Sequence, residues 1–215
     1  MIIAIDGPGA AGKGTLARRL AEALDLAYLD TGMLYRTVAA KVLAAGDDPA
    51  APGVAEAAAR SATFLDLNRP DLRGEAVGQG ASQVAAIPGV RAALLDLQRR
   101  FATQPPGGKR GAILDGRDIG TVVCPEADVK FFVIASLDAR AARRQKELRA
   151  RGEASIYARV KQEMQERDAR DSARATAPLK PAPDAVVLDT SEMDADGAFR
   201  AAMDIITART AAPPA

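Results

Sequence analysis

The sequence predicts an α/β fold in which a parallel sheet is covered by helices on both faces. Five short apolar runs have the composition of buried strands, and helical patterns separate most of them. Strands that alternate with helices favour a parallel sheet, because each crossover helix returns the chain across one face. The chain has 215 residues, 48% of them hydrophobic, which suits one such domain with additional segments.

The predicted strands are distributed along the whole chain. They are IIAID at 2–6, LAYLD at 26–30, AILDG at 112–116, VKFFVIA at 129–135 and AVVLD at 185–189. In the first three runs an Asp is followed directly by Gly or Thr. Ligands of parallel folds gather where the carboxyl ends of the strands meet. We therefore expect Asp6, Asp30 and Asp115 to line one rim of the sheet.

A glycine-rich loop follows the first predicted strand and precedes a helix. Residues 7–13 have the spacing G-x-x-x-x-G-K, and leucines four residues apart follow in GTLARRLAEAL. Such a loop curls its N–H groups around phosphate oxygens, and the helix N-terminus adds partial positive charge. Lys13 can reach the terminal phosphates. The predicted triphosphate site consists of Gly7, Pro8, Gly9, Ala10, Ala11, Gly12, Lys13, Gly14 and Thr15.

The residue after the loop lysine departs from the general motif. Nucleotide-hydrolysing proteins with this loop carry Ser or Thr there as a Mg²⁺ ligand. This chain has Gly14 instead, and the hydroxyl comes one residue later, at Thr15. Asp115 would end the second acidic strand of a phosphoryl-transfer site. We predict that Thr15 and Asp115 hold Mg²⁺, the carboxylate acting directly or through water.

Composition and spacing also exclude several classes of site. The chain has no His, and its single Cys124 excludes an internal disulfide and a Cys-based zinc site. The net charge of +1 implies no global attraction to nucleic acid or to a membrane. No leader-like segment precedes the first strand, and no apolar stretch is long enough to span a bilayer. We expect a cytoplasmic protein, and nothing demands more than a monomer.

The segments between the predicted strands have less regular hydrophobic patterns. Between the second and third strands we expect a helix over 33–45, an exposed hinge at GDDPAAPG and a second helix at VRAALLDLQRRFAT. In the same insertion ATFLDL could form a short strand. Residues 138–174 predict two charged helices joined at Gly152. The tail TAAPPA is expected to fray.

Arginines are concentrated where phosphates could bind. Of the 29 basic residues 22 are Arg, which binds phosphate through a planar, bidentate fork. Arg117 and Asp118 follow the third strand, at the predicted rim. Two sets share a helical face by their spacing: Arg140, Arg143 and Arg144, and Arg167, Asp171 and Arg174. A solvated surface would explain either set alone, but beside a phosphate loop we favour a mobile hairpin that closes over phosphates.

Five motifs together resemble a known family. DGPGAAGKGT, LDTGMLYR, GASQVAAIPGVR, DGRDIGT and ERDARDSARATAPL occur in this order in bacterial cytidylate kinases, and the resemblance covers residues 2 to about 188. It implies a P-loop kinase fold that transfers the γ-phosphate of ATP to CMP or dCMP, with Mg²⁺. It also implies a core (1–32, 106–142 and 166–215), a monophosphate-binding insertion (about 33–105) and a helical lid (about 143–165). The insertion sheet of the family is expected to be truncated here.

The resemblance also implies residue roles. Ser82, Arg91 and Asp118 would hold the cytosine, and the carboxylate would accept from its exocyclic amine. Uracil carries a carbonyl at that position and would be rejected. The other implied contacts are Arg36 and Arg117 with the acceptor phosphate, Arg167 and Asp171 with the sugar, Arg174 with phosphate, Thr31 near the nucleotide, and Arg140, Arg143 and Arg144 in the lid. The implied catalytic set is Lys13, Arg117, Arg143, Arg144 and Arg174. By analogy, adenine would lie near residues 177–181.

Two alternatives share the loop. A small-molecule alcohol kinase, for example one acting on shikimate, would benefit from a carboxylate base, whereas a phosphate acceptor is already largely ionised at pH 7. A GTPase switch would need the guanine-reading N/T-K-x-D, and no Lys in the chain has an Asp two residues later. The many arginines favour a nucleotide acceptor.

Overall fold

The computed structural model describes residues 1–211 and contains one five-stranded sheet. The strands are β1 Ile2–Asp6, β2 Ala27–Asp30, β3 Ala112–Gly116, β4 Val129–Ile134 and β5 Val186–Asp189. All neighbouring strands are parallel, and their order across the sheet is β2-β3-β1-β4-β5. The predicted parallel sheet and its five strands are confirmed.

Helices cover both faces of this sheet. They are α1 Lys13–Leu24, α2 Thr31–Ala44, α3 Pro52–Arg60, α4 Glu75–Val84, α5 Pro88–Thr103, α6 Leu137–Ala150, α7 Tyr157–Ser172 and α8 Ala195–Ala211. Alternate residues of β1 face two apolar layers: Ile3 and Ile5 belong to the layer with α1 and α8, and Ala4 to the layer with α2, α4 and α5. This two-sided burial explains the continuous apolar runs of the strands.

None of the helices within residues 1–211 is both long and apolar enough to cross a bilayer. Cys124 is buried, and burial raises the pKa of its thiol to about 11. The fraying expected of the tail concerns residues 212–215, which lie outside the described residues.

The connection between β2 and β3 is helical where a strand was considered. Two 3₁₀ turns, Phe64–Asn68 and Pro70–Arg73, lie between α3 and α4. The short strand at ATFLDL was wrong, because Thr63 and Asp66 form a capping box that starts the first turn. Helix α4 was not predicted, because its glycines are poor helix formers. One of them, Gly80, allows close packing: a Cβ there would lie 3.1 Å from the Cβ of Ala39 in α2.

Helices α6 and α7 form a charged hairpin beside the sheet. Gly152 follows α6 with φ of +77°, the left-handed conformation that commonly ends a helix. The predicted pair of charged helices joined at Gly152 is confirmed. Few apolar side chains of this hairpin are buried; Leu148 and Val160 are two of them.

Candidate active site

The glycine-rich loop joins the carboxyl end of β1 to the N-terminus of α1. Gly7 has φ of +144°, and a Cβ there would lie 2.0 Å from the carbonyl oxygen of Val133, so no larger residue fits. Ala10 takes φ of +58°, a rare conformation for a side-chain-bearing residue that is typical of anion-binding loops. Gly12 precedes α1 without a side-chain cap, which leaves the first N–H groups of the helix free to bind an anion.

A cleft of about 320 Å³ opens between this loop, α4 and the α6–α7 hairpin. Its volume is within the range of small-molecule sites. Most of the predicted residues line it: Gly9, Ala10, Gly12, Lys13, Gly14, Thr15, Thr31, Arg36, Ser82, Arg91, Asp115, Arg117, Asp118, Arg144, Arg167, Asp171 and Arg174. Gly7, Pro8 and Ala11 belong to the same loop but do not line the cleft. Residues far apart in the sequence therefore meet in one place.

Lys13 is the first residue of α1 and is 7% exposed. Its Nζ donates to the carbonyl oxygen of Pro8 at 2.8 Å, inside the loop. Burial and the neighbouring Arg117 lower the pKa of Lys13, and nearby carboxylates, Asp115 foremost, oppose that change. An anionic phosphate in the loop would stabilise the charged ammonium where it already lies.

Two of the three strand-end carboxylates border the cleft. Asp30 and Asp115 line it, whereas Asp6 is 3% exposed and accepts two backbone N–H groups of the helical turn Ile119–Val123, each at 2.8 Å. Asp6 ends β1 at the same edge of the sheet as the other two residues, as predicted, but its carboxylate caps this turn and does not line the cleft. Burial raises the pKa of Asp6 to about 6, although the two N–H groups oppose the shift. Asp6 therefore fixes the backbone that begins directly after Asp118.

Asp115 and Thr15 have the chemistry of a Mg²⁺ site. The hydroxyl of Tyr28 donates to Oδ2 of Asp115 at 3.0 Å, and Thr31 donates to its carbonyl oxygen at 2.7 Å. Burial, and next the neighbouring Asp30, raise the pKa of Asp115. Thr15 is exposed to the cleft. Mg²⁺ prefers oxygen ligands, and a carboxylate whose ionisation burial opposes is stabilised by a cation, so these residues fit the predicted ion.

An ion pair between Arg91 of α5 and Asp118 after β3 forms part of the cleft wall. Both side chains are less than a tenth exposed. The guanidinium of Arg91 also donates to a backbone carbonyl at the end of α4, at 3.2 Å, and lies 5.5 Å from the ring centroid of Tyr35. Ser82 lines the same cleft, but its hydroxyl faces Asp171 at 3.4 Å. The cleft wall therefore contains a cationic donor, Arg91, directly beside an anionic acceptor, Asp118.

Asp171 of α7 is the centre of an arginine cluster and is 1% exposed. Its Oδ2 accepts from Nε of Arg117 at 3.0 Å and lies 3.9 Å from Nε of Arg167, while Oδ1 pairs with Arg174. Burial opposes ionisation, but Arg117, Arg174 and Arg167 hold the pKa of Asp171 below its usual range.

The same cluster has positive charge that Asp171 does not neutralise. Burial, and next Arg117, lower the pKa of Arg167 to about 10. The Nε atoms of Arg167 and Arg174 are buried and lack hydrogen-bond partners within residues 1–211. Three guanidinium groups around one carboxylate form a site that favours a further anion.

The α6–α7 hairpin contacts the β2–β3 connection across the cleft. Nη2 of Arg144 lies 2.8 Å from a carboxylate oxygen of Glu75 in α4, and Arg151 donates to the carbonyl oxygen of Arg73 at 3.3 Å. Arg36 of α2 reaches the same region and donates to the carbonyl oxygen of Leu72 at 2.7 Å. These contacts connect the hairpin to the β2–β3 connection.

The other two arginines of α6 have different partners. Arg140 pairs with Asp168 of α7 at 2.7 Å and donates to a carbonyl oxygen of the glycine-rich loop at 3.4 Å. Arg143 donates to Thr190 after β5 and does not line the cleft. Their spacing places all three arginines on one side of α6, but each guanidinium has a separate partner, and only Arg144 of the three lines the cleft. The loop 177–181, expected near adenine, borders a different pocket.

The contacts of four polar residues at or behind the cleft were not predicted from the sequence. Tyr28, Glu75 and Asp168 were not singled out, and Asp6 was not expected to cap the turn at 119–123. Only Asp168 had a local signal, since it lies inside the motif ERDARDSARATAPL. The others act through partners more than 65 residues away in the chain.

Comparison with known proteins identifies the family. The family model described as Cytidylate kinase matches residues 3–208. The chain belongs to the cytidylate kinase family. It is 64% identical over 205 residues to the Cytidylate kinase of Paramagnetospirillum magneticum, covering 95% of this chain and 97% of the relative. It is 60% identical over 206 residues to that of Rhodospirillum rubrum, covering 96% and 97%.

A solved structure shares the fold at low sequence identity. The crystal structure of an uncharacterized protein from Eubacterium ventriosum superposes with a TM-score of 0.55 at 13% identity. The match covers 96% of this chain and 98% of that one. The resemblance to cytidylate kinases that the motifs indicated is confirmed, and the family implies ATP as the phosphate donor.

Proposed function

We propose that this chain transfers the γ-phosphate of ATP to CMP or dCMP inside the cleft, giving ADP and CDP or dCDP. The observation that carries the residue assignment is the buried pair of Arg91 and Asp118 in the same cleft as a phosphate-binding loop. The guanidinium can donate to the carbonyl oxygen and ring nitrogen of cytosine, and the carboxylate can accept from the amine. Uracil would place a carbonyl oxygen against the carboxylate of Asp118. Because both groups are acceptors, no hydrogen bond can form, and such a site rejects uracil.

The donor half of the reaction belongs to the glycine-rich loop. The N–H groups of residues 7–15 other than Pro8 would surround the phosphates of ATP, and Lys13 supplies positive charge at the migrating group. The uncapped start of α1 and the left-handed Ala10 support this assignment. Mg²⁺, held by Thr15 and Asp115 with the phosphates, would neutralise charge that develops between the second and third phosphoryl groups.

The acceptor half belongs to the arginine cluster. Arg36, Arg117 and Arg174 bind the phosphate of CMP, while Arg167 and Asp171 bind the sugar near Thr31. A phosphate oxygen of CMP forms the new bond to the γ-phosphorus, and the bond to the bridging oxygen breaks, leaving its electrons on ADP. No general base is needed, because the second pKa of a phosphate monoester is about 6. Within residues 1–211 the buried Nε atom of Arg174 has no hydrogen-bond partner, which supports an anion here.

Movement of two segments over the core would complete the cycle. The core is assigned to 1–32, 106–142 and 166–215, the monophosphate-binding insertion to about 33–105, and the lid to about 143–165. Contacts such as that between Arg144 and Glu75 support closure of the lid on the insertion. One chain supplies all of these residues, which supports a monomer, and its nucleotide substrates support a cytoplasmic location.

A panel of acceptors tests the proposal. Initial rates with ATP and Mg²⁺ are measured for CMP, dCMP, UMP, AMP, shikimate and water, with Lys13→Ala as the inactive control. We expect CMP and dCMP to react with the highest kcat/KM, and UMP to fall behind by about 100-fold or more. Preferred phosphorylation of shikimate, or equal rates with CMP and UMP, would contradict the assignment of the acceptor site.

A further inference from the structure

The missing hydroxyl at position 14 has a structural explanation in strand β2. A Cβ added to Gly14 would lie 3.3 Å from Oδ2 of Asp115 and 3.4 Å from the hydroxyl of Tyr28. The first distance is tighter than most contacts of a Cβ and the second is at the lower limit of ordinary contact, so little space remains beside the loop. A serine there would bring a second hydroxyl against the carboxylate that Tyr28 already contacts.

Tyr28 is well placed to control that carboxylate. Its hydroxyl donates to Oδ2 of Asp115 at 3.0 Å, and Oδ1 has no hydrogen-bond partner within residues 1–211. Strands β2 and β3 pair directly, with Asp30 opposite Asp115 and Tyr28 opposite Ile113, so the phenol reaches Asp115 along the strand direction. The guanidinium carbon of Arg18 lies 5.9 Å from the centroid of the Tyr28 ring and restrains the ring from the α1 side.

We infer that Tyr28 is a positioning residue: its hydroxyl occupies the space that Gly14 leaves open and orients the Asp115 carboxylate toward the metal and the phosphates. The inference rests on the proposed role of Asp115 with Mg²⁺. In P-loop proteins of the general motif a hydroxyl after the lysine binds the metal. In this chain the metal would instead be bound by the carboxylate of Asp115, which the hydroxyl of Tyr28 in the neighbouring strand holds in place. Partners of metal-binding carboxylates set metal affinity without touching the ion.

The first measurement is the affinity of Mn²⁺, used in place of Mg²⁺, for the enzyme with ADP, followed by electron paramagnetic resonance. Tyr28→Phe removes one oxygen and keeps the ring, and we expect Mn²⁺ to bind about 10-fold more weakly. The KM for CMP should stay unchanged, because the cytosine site is elsewhere. Tyr157→Phe is the matched control: it also removes a Tyr–Asp hydrogen bond, of 2.7 Å to Asp138, on the outer side of the hairpin. Unchanged Mn²⁺ affinity in Tyr28→Phe would overturn the inference.

A second pair of variants tests the link between the two positions. Gly14→Ser alone should weaken Mn²⁺ binding, because its side chain crowds the phenol and the carboxylate. In the Tyr28→Phe background the same serine has room and an available carboxylate oxygen. The loss of Mn²⁺ affinity caused by Gly14→Ser should therefore be at least about threefold smaller in that background. Equal losses in both backgrounds would show that the two positions act independently and would refute the inference.

Asp115→Asn separates this inference from the proposed metal site. If Asp115→Asn leaves Mn²⁺ affinity unchanged, the metal assignment itself is wrong, and the role of Tyr28 with it. If Asp115→Asn weakens Mn²⁺ binding while Tyr28→Phe does not, the metal site stands and only the positioning role is rejected. Thermal unfolding of each variant confirms that the compared proteins are folded.

Discussion

Asp118→Asn tests the base-reading pair most directly. The substitution keeps the shape of the side chain but removes the charge that faces Arg91, in a pair less than a tenth exposed. The amine of CMP loses a charged acceptor, and hydrogen bonds to charged groups contribute about 1.5–3 kcal/mol. At 1.36 kcal/mol per tenfold in rate, kcat/KM for CMP should fall by about 10-fold to 150-fold.

The same substitution should change the preference between bases. An Asn amide can donate to the carbonyl of uracil, so kcat/KM for UMP should fall less than that for CMP, or rise. The assay measures both acceptors at saturating ATP and Mg²⁺, and the KM for ATP separately. The control is Asp25→Asn, which breaks an exposed ion pair with Lys109 and should leave all three values unchanged. Loss of ATP affinity with normal CMP kinetics would refute the assignment and would place Asp118 on the donor side.

Stability provides a second measure of this pair. Breaking a buried ion pair by removing one partner costs about 3–5 kcal/mol. The guanidinium of Arg91 keeps a backbone carbonyl and the face of Tyr35, so we expect the lower end of that range for Asp118→Asn. Urea unfolding measures the change. A variant as stable as the wild type would show that solvent reaches the pair.

Three further predictions concern the loop and the hairpin. Lys13→Ala should reduce phosphoryl transfer by at least about 1,000-fold and leave the circular dichroism spectrum unchanged; near-normal turnover would refute the P-loop assignment. Gly7→Ala places a Cβ 2.0 Å from a β4 carbonyl and should cost more than about 3 kcal/mol in urea unfolding, whereas Gly46→Ala, with positive φ but open space, should cost about 1 kcal/mol; equal costs would contradict the steric argument. Glu75→Gln removes an exposed ion pair with Arg144 worth about 0.5 kcal/mol, so hydrogen exchange in α6 should become about twofold faster without ligand. A bisubstrate analogue should abolish that difference, and identical exchange in the wild type with and without it would show a rigid hairpin.

The parts of the fold that the sequence predicted are those with local causes. Each strand is a continuous apolar run because both faces of the sheet are covered, and the loop over 7–13 needs its glycines within a few residues of one another. The two charged helices on either side of Gly152 were also predicted from residues close together in the sequence. The motifs then placed Arg91 and Asp118 in one site although 27 positions separate them.

What the sequence did not predict depends on distant partners. Asp6 resembles the other strand-end carboxylates, and its turn toward the helical segment at 119–123 depends on N–H groups more than 110 positions away. Arg143 and Arg144 are adjacent in the sequence, but Thr190 and Glu75 draw them in different directions. Helix α4 contains glycines whose use is visible only against α2. Hydrophobic patterns and helix propensities depend on nearby residues, so they carry no information about these distant contacts.

The carboxylate of Asp6 limits how far the two substrate sites can be altered independently. Asp6 ends β1 directly before the donor loop, and its carboxylate also binds the turn after Asp118. The ATP-binding loop and the base-binding residue Asp118 are therefore held by the same side chain. A redesign of base preference that shifts this turn by a fraction of an ångström would be transmitted to the start of the loop, and the reverse also holds. Donor and acceptor recognition are therefore poorly separable modules in this protein. An engineer who wants a new acceptor should change side chains along α5 and preserve the backbone between β3 and β4.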